Sequence, residues 1–188
     1  MLGRRVLGTV LGINALLASA VVADFPDFGK LENCVLVGPL TFRWALDGDK
    51  IEFQVEGAVG SSDTWLGIGF TEGSTVRMAV SDVVISGFLD SEPFSSSYAL
   101  SQRSSSGVNT AGPNVELIFG SLGDDGIMRI RGVRELGSWP TDGSQAVVWA
   151  TGPVDGPVEA PVIIYHGTSH APGGTTGTIV LGMDQDSC

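Results

Sequence analysis

The chain reads as an all-β protein, an antiparallel β-sandwich of the immunoglobulin-like kind. Three observations carry that reading. Apolar residues nowhere keep a helical 3.6 period bounded by helix caps. Short apolar or alternating runs are instead separated by frequent turn signals, the pattern of a sandwich. Glycine supplies 27 of the 188 residues, punctuation suited to a turn-rich fold. No internal repeat with a period of roughly 20–50 residues is present, which excludes a solenoid or propeller.

Residues 1–23 are expected to be a secretory signal peptide. Arg4 and Arg5 open it, an apolar run follows, and small residues offer cleavage after Ala20 or Ala23. The alternative is a membrane anchor, but Gly8, Gly12 and Asn14 weaken the run. Residues 24–188 would then form one domain and hold no further membrane span.

After an irregular lead-in at Asp24–Lys30, Cys34–Val37 is a short apolar run. Thr41–Leu46 and Lys50–Gly57 flank Asp47-Gly48-Asp49, a strong hairpin signal. Ile51, Phe53 and Val55 alternate with Glu52, Gln54 and Glu56, so one face of that strand is buried and the other wet. Ala58–Thr64 connects to the stretch WLGIGFTEGSTVRMAVSDVV, Trp65 to Val84. Its apolar runs, Trp65–Phe70 and Ala79–Ile85, suit two buried strands around a turn. Gly67 and Gly69 are expected to leave room for something to approach the backbone.

Residues 86–114, rich in Ser, Gly and Pro, are either one long excursion or short strands such as Ser97–Gln102. Val115–Phe119 and Gly126–Arg131 form a hairpin around Gly123-Asp124-Asp125-Gly126, with Ile127, Arg129 and Arg131 on one face and Met128 and Ile130 on the other. Gln145–Thr151 is a buried strand, Gly152–Pro161 a turn region, Val162–Tyr165 an apolar run ending at His166-Gly167, and Thr178–Leu181 a last strand.

The two cysteines, Cys34 and Cys188, lie near the two ends of the mature chain. In an oxidising compartment they are expected to pair, within the chain or with another. Closing so long a loop contributes about 4–5 kcal/mol on the chain-entropy account. No Cys/His spacing suits a structural zinc.

The formal charge is -11, and it falls to -13 once Arg4 and Arg5 leave, 8 basic against 21 acidic residues. That balance argues against nucleic acid and anionic membranes, and any charge-steered partner would carry a basic patch. No G-x-S-x-G, H-E-x-x-H or P-loop pattern points to catalysis. Asp82, Asp124, Asp125 and Asp142 fit turn and strand-edge roles.

Metal chemistry has few donors to draw on. His166 and His170 are the only histidines. His166 follows an apolar strand at a loop edge, whereas His170 lies in a Gly/Pro loop that rules out a helical H-x-x-x-H site. Met78 stands at a loop–strand junction, between Arg77 and Ser81-Asp82, either as a core residue or as a thioether offered to a cofactor. A Met and a His on loops of a sandwich could hold a haem iron between them.

The ordered motifs resemble those of a DOMON domain. Arg43-Trp44 comes first, then Trp65-Leu66-Gly67-Ile68-Gly69-Phe70, then Met78 ahead of Ser81-Asp82-Val83-Val84. Val148-Trp149-Ala150 and Tyr165-His166-Gly167 complete the set, which covers nearly all of residues 34–181. The chain departs from the pattern after the histidine, where Gly173-Gly174 stands in place of an Arg-Gly pair.

The resemblance implies a DOMON-type sandwich that binds haem b through Met78 and His166 as axial ligands. It implies a secreted b-type cytochrome module that passes single electrons and has no catalytic site of its own. Trp65, Phe70, Trp149 and Tyr165 are candidates for the pocket walls, with plain core packing as the other reading of each. The redox partner would be an extracellular oxidoreductase, a copper enzyme acting on polysaccharide, or a membrane cytochrome. The family also holds haem-free members, so the alternative is a module binding carbohydrate or another small extracellular ligand.

Overall fold

The computed structural model describes residues 31–59, 61–71, 81–101, 105–139, 141–143, 145–164, 178–182 and 188. Twelve strands occur among them: β1 (Asn33–Val37), β2 (Leu40–Asp47), β3 (Lys50–Ala58), β4 (Thr64–Thr71), β5 (Ser81–Leu89), β6 (Glu92–Leu100), β7 (Val108–Thr110), β8 (Glu116–Leu122), β9 (Ile127–Glu135), β10 (Gln145–Asp155), β11 (Val162–Ile163) and β12 (Thr178–Ile179). The only helical element among the described residues is one 3-10 turn, Ser105–Gly107. The all-β antiparallel sandwich is therefore present as expected.

One sheet has five strands in the order β1-β2-β3-β9-β8. The other has seven, β11-β10-β4-β5-β6-β7, with β12 also pairing with β10. The β2–β3 hairpin turns at Gly48-Asp49, and Gly48 takes φ +62°, the first central position where a II′-type turn needs glycine. Inward side chains of β2 and β3, including Phe42, Trp44, Ile51, Phe53 and Val55, meet Leu66, Ile68, Phe70, Val84, Val147 and Trp149 from the other sheet. Met128 and Ile130 join them from β9, on the face their alternation indicated.

The outer face of the five-stranded sheet is charged. Arg43 and Arg129 both pair with Glu56, at 3.5 and 3.3 Å, and Arg131 reaches Glu52 at 2.6 Å. Cys34 and Cys188 are joined within the chain, and the Trp44 indole N–H donates to Leu181 O at 3.0 Å. Two independent ties thus hold the C-terminal residues against the five-stranded sheet. No helix among the described residues is long and apolar enough to cross a membrane.

Two stretches differ from the sequence expectation. The Ser-rich region 86–114 contains a nine-residue strand, β6, in full register with β5. Its serines are accommodated in pairs, as Ser86 and Ser95 share a hydrogen bond of 2.7 Å across the strands. β10 also runs through Gly152 and Pro153 to Asp155, where a turn was expected. Pro153 still serves the sheet with its carbonyl, which accepts from Ile164 N at 3.2 Å.

The β5–β6 turn makes a demand that its residues meet poorly. Asp90 and Ser91 take φ +52° and +67°, both left-handed, without a glycine. Asp tolerates this conformation through local hydrogen bonding, whereas serine has less claim to it. Ser91→Gly is expected to raise stability by about 0.5–1 kcal/mol, read as a higher urea midpoint at unchanged m-value.

The β8–β9 turn is fixed by Asp125, whose carboxylate accepts from Ile127 N at 2.9 Å and from Arg129 at 3.3 Å. The Ile127 amide first, and Arg129 second, hold its carboxyl below the usual 3.8. A depressed folded value means the contribution exists above the unfolded pKa and fades as pH falls through the folded one. Asp125→Asn should therefore lower Tm at neutral pH, with the gap from wild type closing as pH drops from about 4 toward 2.

Candidate functional site

The seven-stranded sheet is apolar on both faces. In β4, Leu66, Ile68 and Phe70 turn inward while Trp65 turns outward with Gly67 and Gly69. In β10, Val147 and Trp149 turn inward, and Val148, Ala150 and Val154 outward. β5 adds Val83, Ile85 and Leu89 to the outer face, β6 adds Phe94 and Tyr98, and β11 adds Ile163. All of these outer side chains are buried. An antiparallel sheet with one wet face alternates polar and apolar residues, so this second apolar face marks a third layer of contacts.

Trp65 is the largest group on that face. Its ring lies against Gly152, where a Cβ would sit 2.9 Å from it, and close to Gly67 at 3.1 Å. The indole N–H donates to Ile164 O at 3.1 Å. The room above Gly67 and Gly69 is taken by Trp65 and Val83, so the groups that approach the backbone there, as the sequence suggested, are the chain's own side chains.

The three aromatic candidates among the described residues, Trp65, Phe70 and Trp149, do not share a wall. Phe70 stands edge-on to Trp139 at 4.7 Å in the inter-sheet core. Trp149 packs in the same core over Gly38, which has φ +61° and no room for a Cβ. The Trp149 indole nitrogen is buried there without a hydrogen-bond partner. Trp65 alone faces outward, and Tyr165, like Met78, His166 and His170, lies outside the described residues.

The attachment points of the two segments that contain Met78 and His166 are nevertheless defined. Residues 72–80 leave β4 after Thr71 and enter β5 at Ser81. Residues 165–177 leave after Ile164 and enter β12 at Thr178. Thr71 and Thr178 are register partners of the same residue, Ala146, on opposite sides of β10. With strands spaced about 4.8 Å apart, Thr71 and Thr178 lie about 10 Å from each other, whereas Ile164, two residues before His166, bonds to Pro153 near the far end of β10. Among the described residues no group of three or more His, Cys, Asp or Glu could hold a metal ion.

Asp82, the second residue of β5, anchors the end of the Met78 segment. Arg134, fully buried at the end of β9, grips it with two bonds, Nη1 to Oδ1 at 3.0 Å and Nη2 to Oδ2 at 2.9 Å. Nη1 also donates to Ser97 Oγ at 3.0 Å, Nη2 to Leu136 O at 3.3 Å, and Nε to Glu135 O at 2.8 Å. The Trp139 ring lies 4.5 Å from the guanidinium, and its N–H donates to Asp82 O at 3.1 Å. Ser138 Oγ donates to Asp82 Oδ2 at 2.8 Å.

This network was not singled out in the sequence, yet a signal was available. Met128, Ile130 and Arg134 share one parity in β9, so Arg134 had to point inward and find a counter-charge. Beside it, Asp82, Tyr98, Leu100, Ser101, Ala111, Gly112 and Ser138 line a groove of about 400 Å³. Burial pushes the Tyr98 phenol above its usual 10.0, with a hydrogen bond to Ser96 acting the other way.

Removing one member of a buried ion pair leaves the other uncompensated, at a cost of about 3–5 kcal/mol. Asp82→Asn is expected to lose stability in that range by urea unfolding. Arg134→Lys should not recover it, because an ammonium cannot make the two-pronged contact.

No protein-family model matches the chain, and no curated protein is similar to it in sequence. Among solved structures, the fold is similar to the cytochrome domain of the cellobiose dehydrogenase of Myriococcum thermophilum. The TM-score is 0.59 at 12% identity, over 79% of this chain and 78% of that one. The likeness is one of fold, and the chain has the sandwich of that cytochrome domain.

Proposed function

We propose that this chain is an extracellular b-type cytochrome module that binds haem b and carries single electrons. The observation that supports this most is the apolar outer face of the seven-stranded sheet, whose strands β4, β5, β11 and β12 carry the ends of the Met78 and His166 segments. The likeness in fold to a cytochrome domain points the same way. Haem bound between a thioether and an imidazole has both axial positions filled, which suits electron transfer over oxygen chemistry.

The chain's residues fit such a group. Val83, Ile85, Val148 and Ala150 supply buried apolar side chains of the kind that would exclude water from a hydrophobic macrocycle. Trp65, held by Gly152 and by Ile164 O, gives that surface a rigid aromatic end. Met128 is committed to the inter-sheet core, whereas Met78 stands in the segment that joins β4 to β5. Asp82, clamped by Arg134, sets where that segment joins β5. The Cys34–Cys188 bridge suits an oxidising compartment, in keeping with secretion.

The test is an absorption spectrum of the purified protein, oxidised and after dithionite. A single Soret band with low-spin visible bands on reduction is expected. Met78→Ala and His166→Ala should each shift or abolish those bands, while His170→Ala should leave them unchanged. A colourless protein retained on polysaccharide would replace this reading with the carbohydrate-binding one.

A further inference from the structure

β11 ends the seven-stranded sheet, and it leaves apolar surface uncovered. Ile163 turns to the buried outer face, so Val162 and Ile164 turn to the opposite side. There the five-stranded sheet does not cover them, and Val162 is 55% and Ile164 36% exposed. Their neighbours are acidic. Asp155 is the register partner of Val162, and Glu159 lies in the loop between β10 and β11. Asp63 adjoins them, as its carbonyl accepts from Val154 N at 3.2 Å, and its Oδ1 accepts from Asp90 N at 3.3 Å. Glu92 pairs with Leu89 across the same turn as Asp90. All five of these acids are exposed.

Among the described residues no lysine or arginine forms an ion pair with them. The lysines and arginines among the described residues are Arg43, Lys50, Arg129, Arg131 and Arg134, and every one belongs to the five-stranded sheet. The four arginines are already engaged by Glu52, Glu56, Asp82 and Asp125. An apolar centre ringed by charge of one sign is the form of a contact surface whose partner carries the opposite sign.

We propose that the β11 edge, Val162 and Ile164 within the rim of Asp63, Asp90, Asp155 and Glu159, is the docking surface for a redox protein with a basic rim around its own cofactor. Ile164 gives the surface its link to the interior. Its carbonyl holds the Trp65 indole, so a donor on the outer sheet face reaches the docked partner through one aromatic ring and one peptide group. This assignment rests on the haem reading for its electron, but the docking itself does not.

Two measurements separate the two claims. Mitochondrial cytochrome c, strongly basic and redox-active, serves as the probe, and an acidic flavodoxin as the control. Titration of the isotope-labelled full chain at about 20 mM salt should shift amide signals at Asp63, Asp155, Val162 and Ile164. Near 300 mM salt the shifts should vanish, because screening shortens the reach of the rim to a few ångströms. Asp63→Asn/Asp155→Asn/Glu159→Gln should weaken binding at least tenfold, and Val162→Ser/Ile164→Ser severalfold, with Tm unchanged as a check on folding. Flavodoxin should shift nothing. Shifts confined to another face, or a triple variant that binds like wild type, would overturn the docking surface. Stopped-flow oxidation of the dithionite-reduced protein by cytochrome c is the second measurement, with a tenfold slower rate expected in the triple variant. A protein that binds cytochrome c at this edge but is colourless keeps the surface and loses the haem; a red protein with a rate indifferent to the triple substitution loses the surface alone.

Discussion

One buried guanidinium holds the sandwich closed at the end where the Met78 segment leaves it. Arg134 has five N–H donors, and five bonds use them: two to Asp82 and one each to Ser97, Glu135 and Leu136. A charge taken out of water costs several kcal/mol unless it is paired and its remaining donors are satisfied. Here both conditions hold, and the partners come from both sheets. β9 is thereby tied to β5 and β6, and the Trp139 ring closes over the pair from the loop that follows β9. Ser97 passes the constraint on by donating to Pro113 O at 2.7 Å, which fixes the approach to β8.

The two sheets resolve their outer faces in opposite ways. β3 alternates, so Glu52 and Glu56 meet Arg43, Arg129 and Arg131 on a charged outer face, with Gln54 buried among them and donating to Glu56. β10 does not alternate, and its run QAVVWA buries residues on both sides. Burying a side chain the size of valine or leucine is worth about 1.5–3 kcal/mol. The outer face formed by Val83, Ile85, Leu89, Phe94, Val148, Val154 and Ile163 therefore represents a large investment in a third layer. That asymmetry sets the seven-stranded sheet apart from the other. It is also the sheet with no described cation, so the polarity of charge and the polarity of hydrophobicity run along the same axis.

Much of this was legible before any coordinates. The Asp-Gly hairpin, the inward set of β3, the Met128/Ile130 face of β9 and the joined cysteines all followed from turn chemistry, alternation and redox logic. What escaped was polar structure in buried places. β6 hides because serine reads as loop, yet Ser86 is 0% and Ser97 4% exposed, each with a hydrogen-bond partner. A turn of Asp90-Ser91 lacks the glycine that marks a left-handed pair. The Asp82–Arg134 pair spans 52 residues, and only the parity of Arg134 within β9 betrays it. Trp65, Phe70 and Trp149 were grouped as aromatic, but their strand positions assign them to opposite faces of one sheet.

The same physics explains how a cytochrome-like sandwich can persist with 12% identity. Apolar faces tolerate exchange of one hydrophobic residue for another of similar volume at modest cost. A haem site of the proposed kind asks for little beyond such a face and two donor atoms. Such donors would need no shared motif, because both segments are attached to strands of one sheet. β10 has β4 on one side and β12 on the other, and Ala146 pairs with Thr71 and Thr178 at once. Two segments more than 80 residues apart in sequence thus each have one end two strand spacings from an end of the other, whatever residues they contain. Backbone pairing of this kind is permitted by most side chains, so a shared sandwich constrains the sequence only loosely.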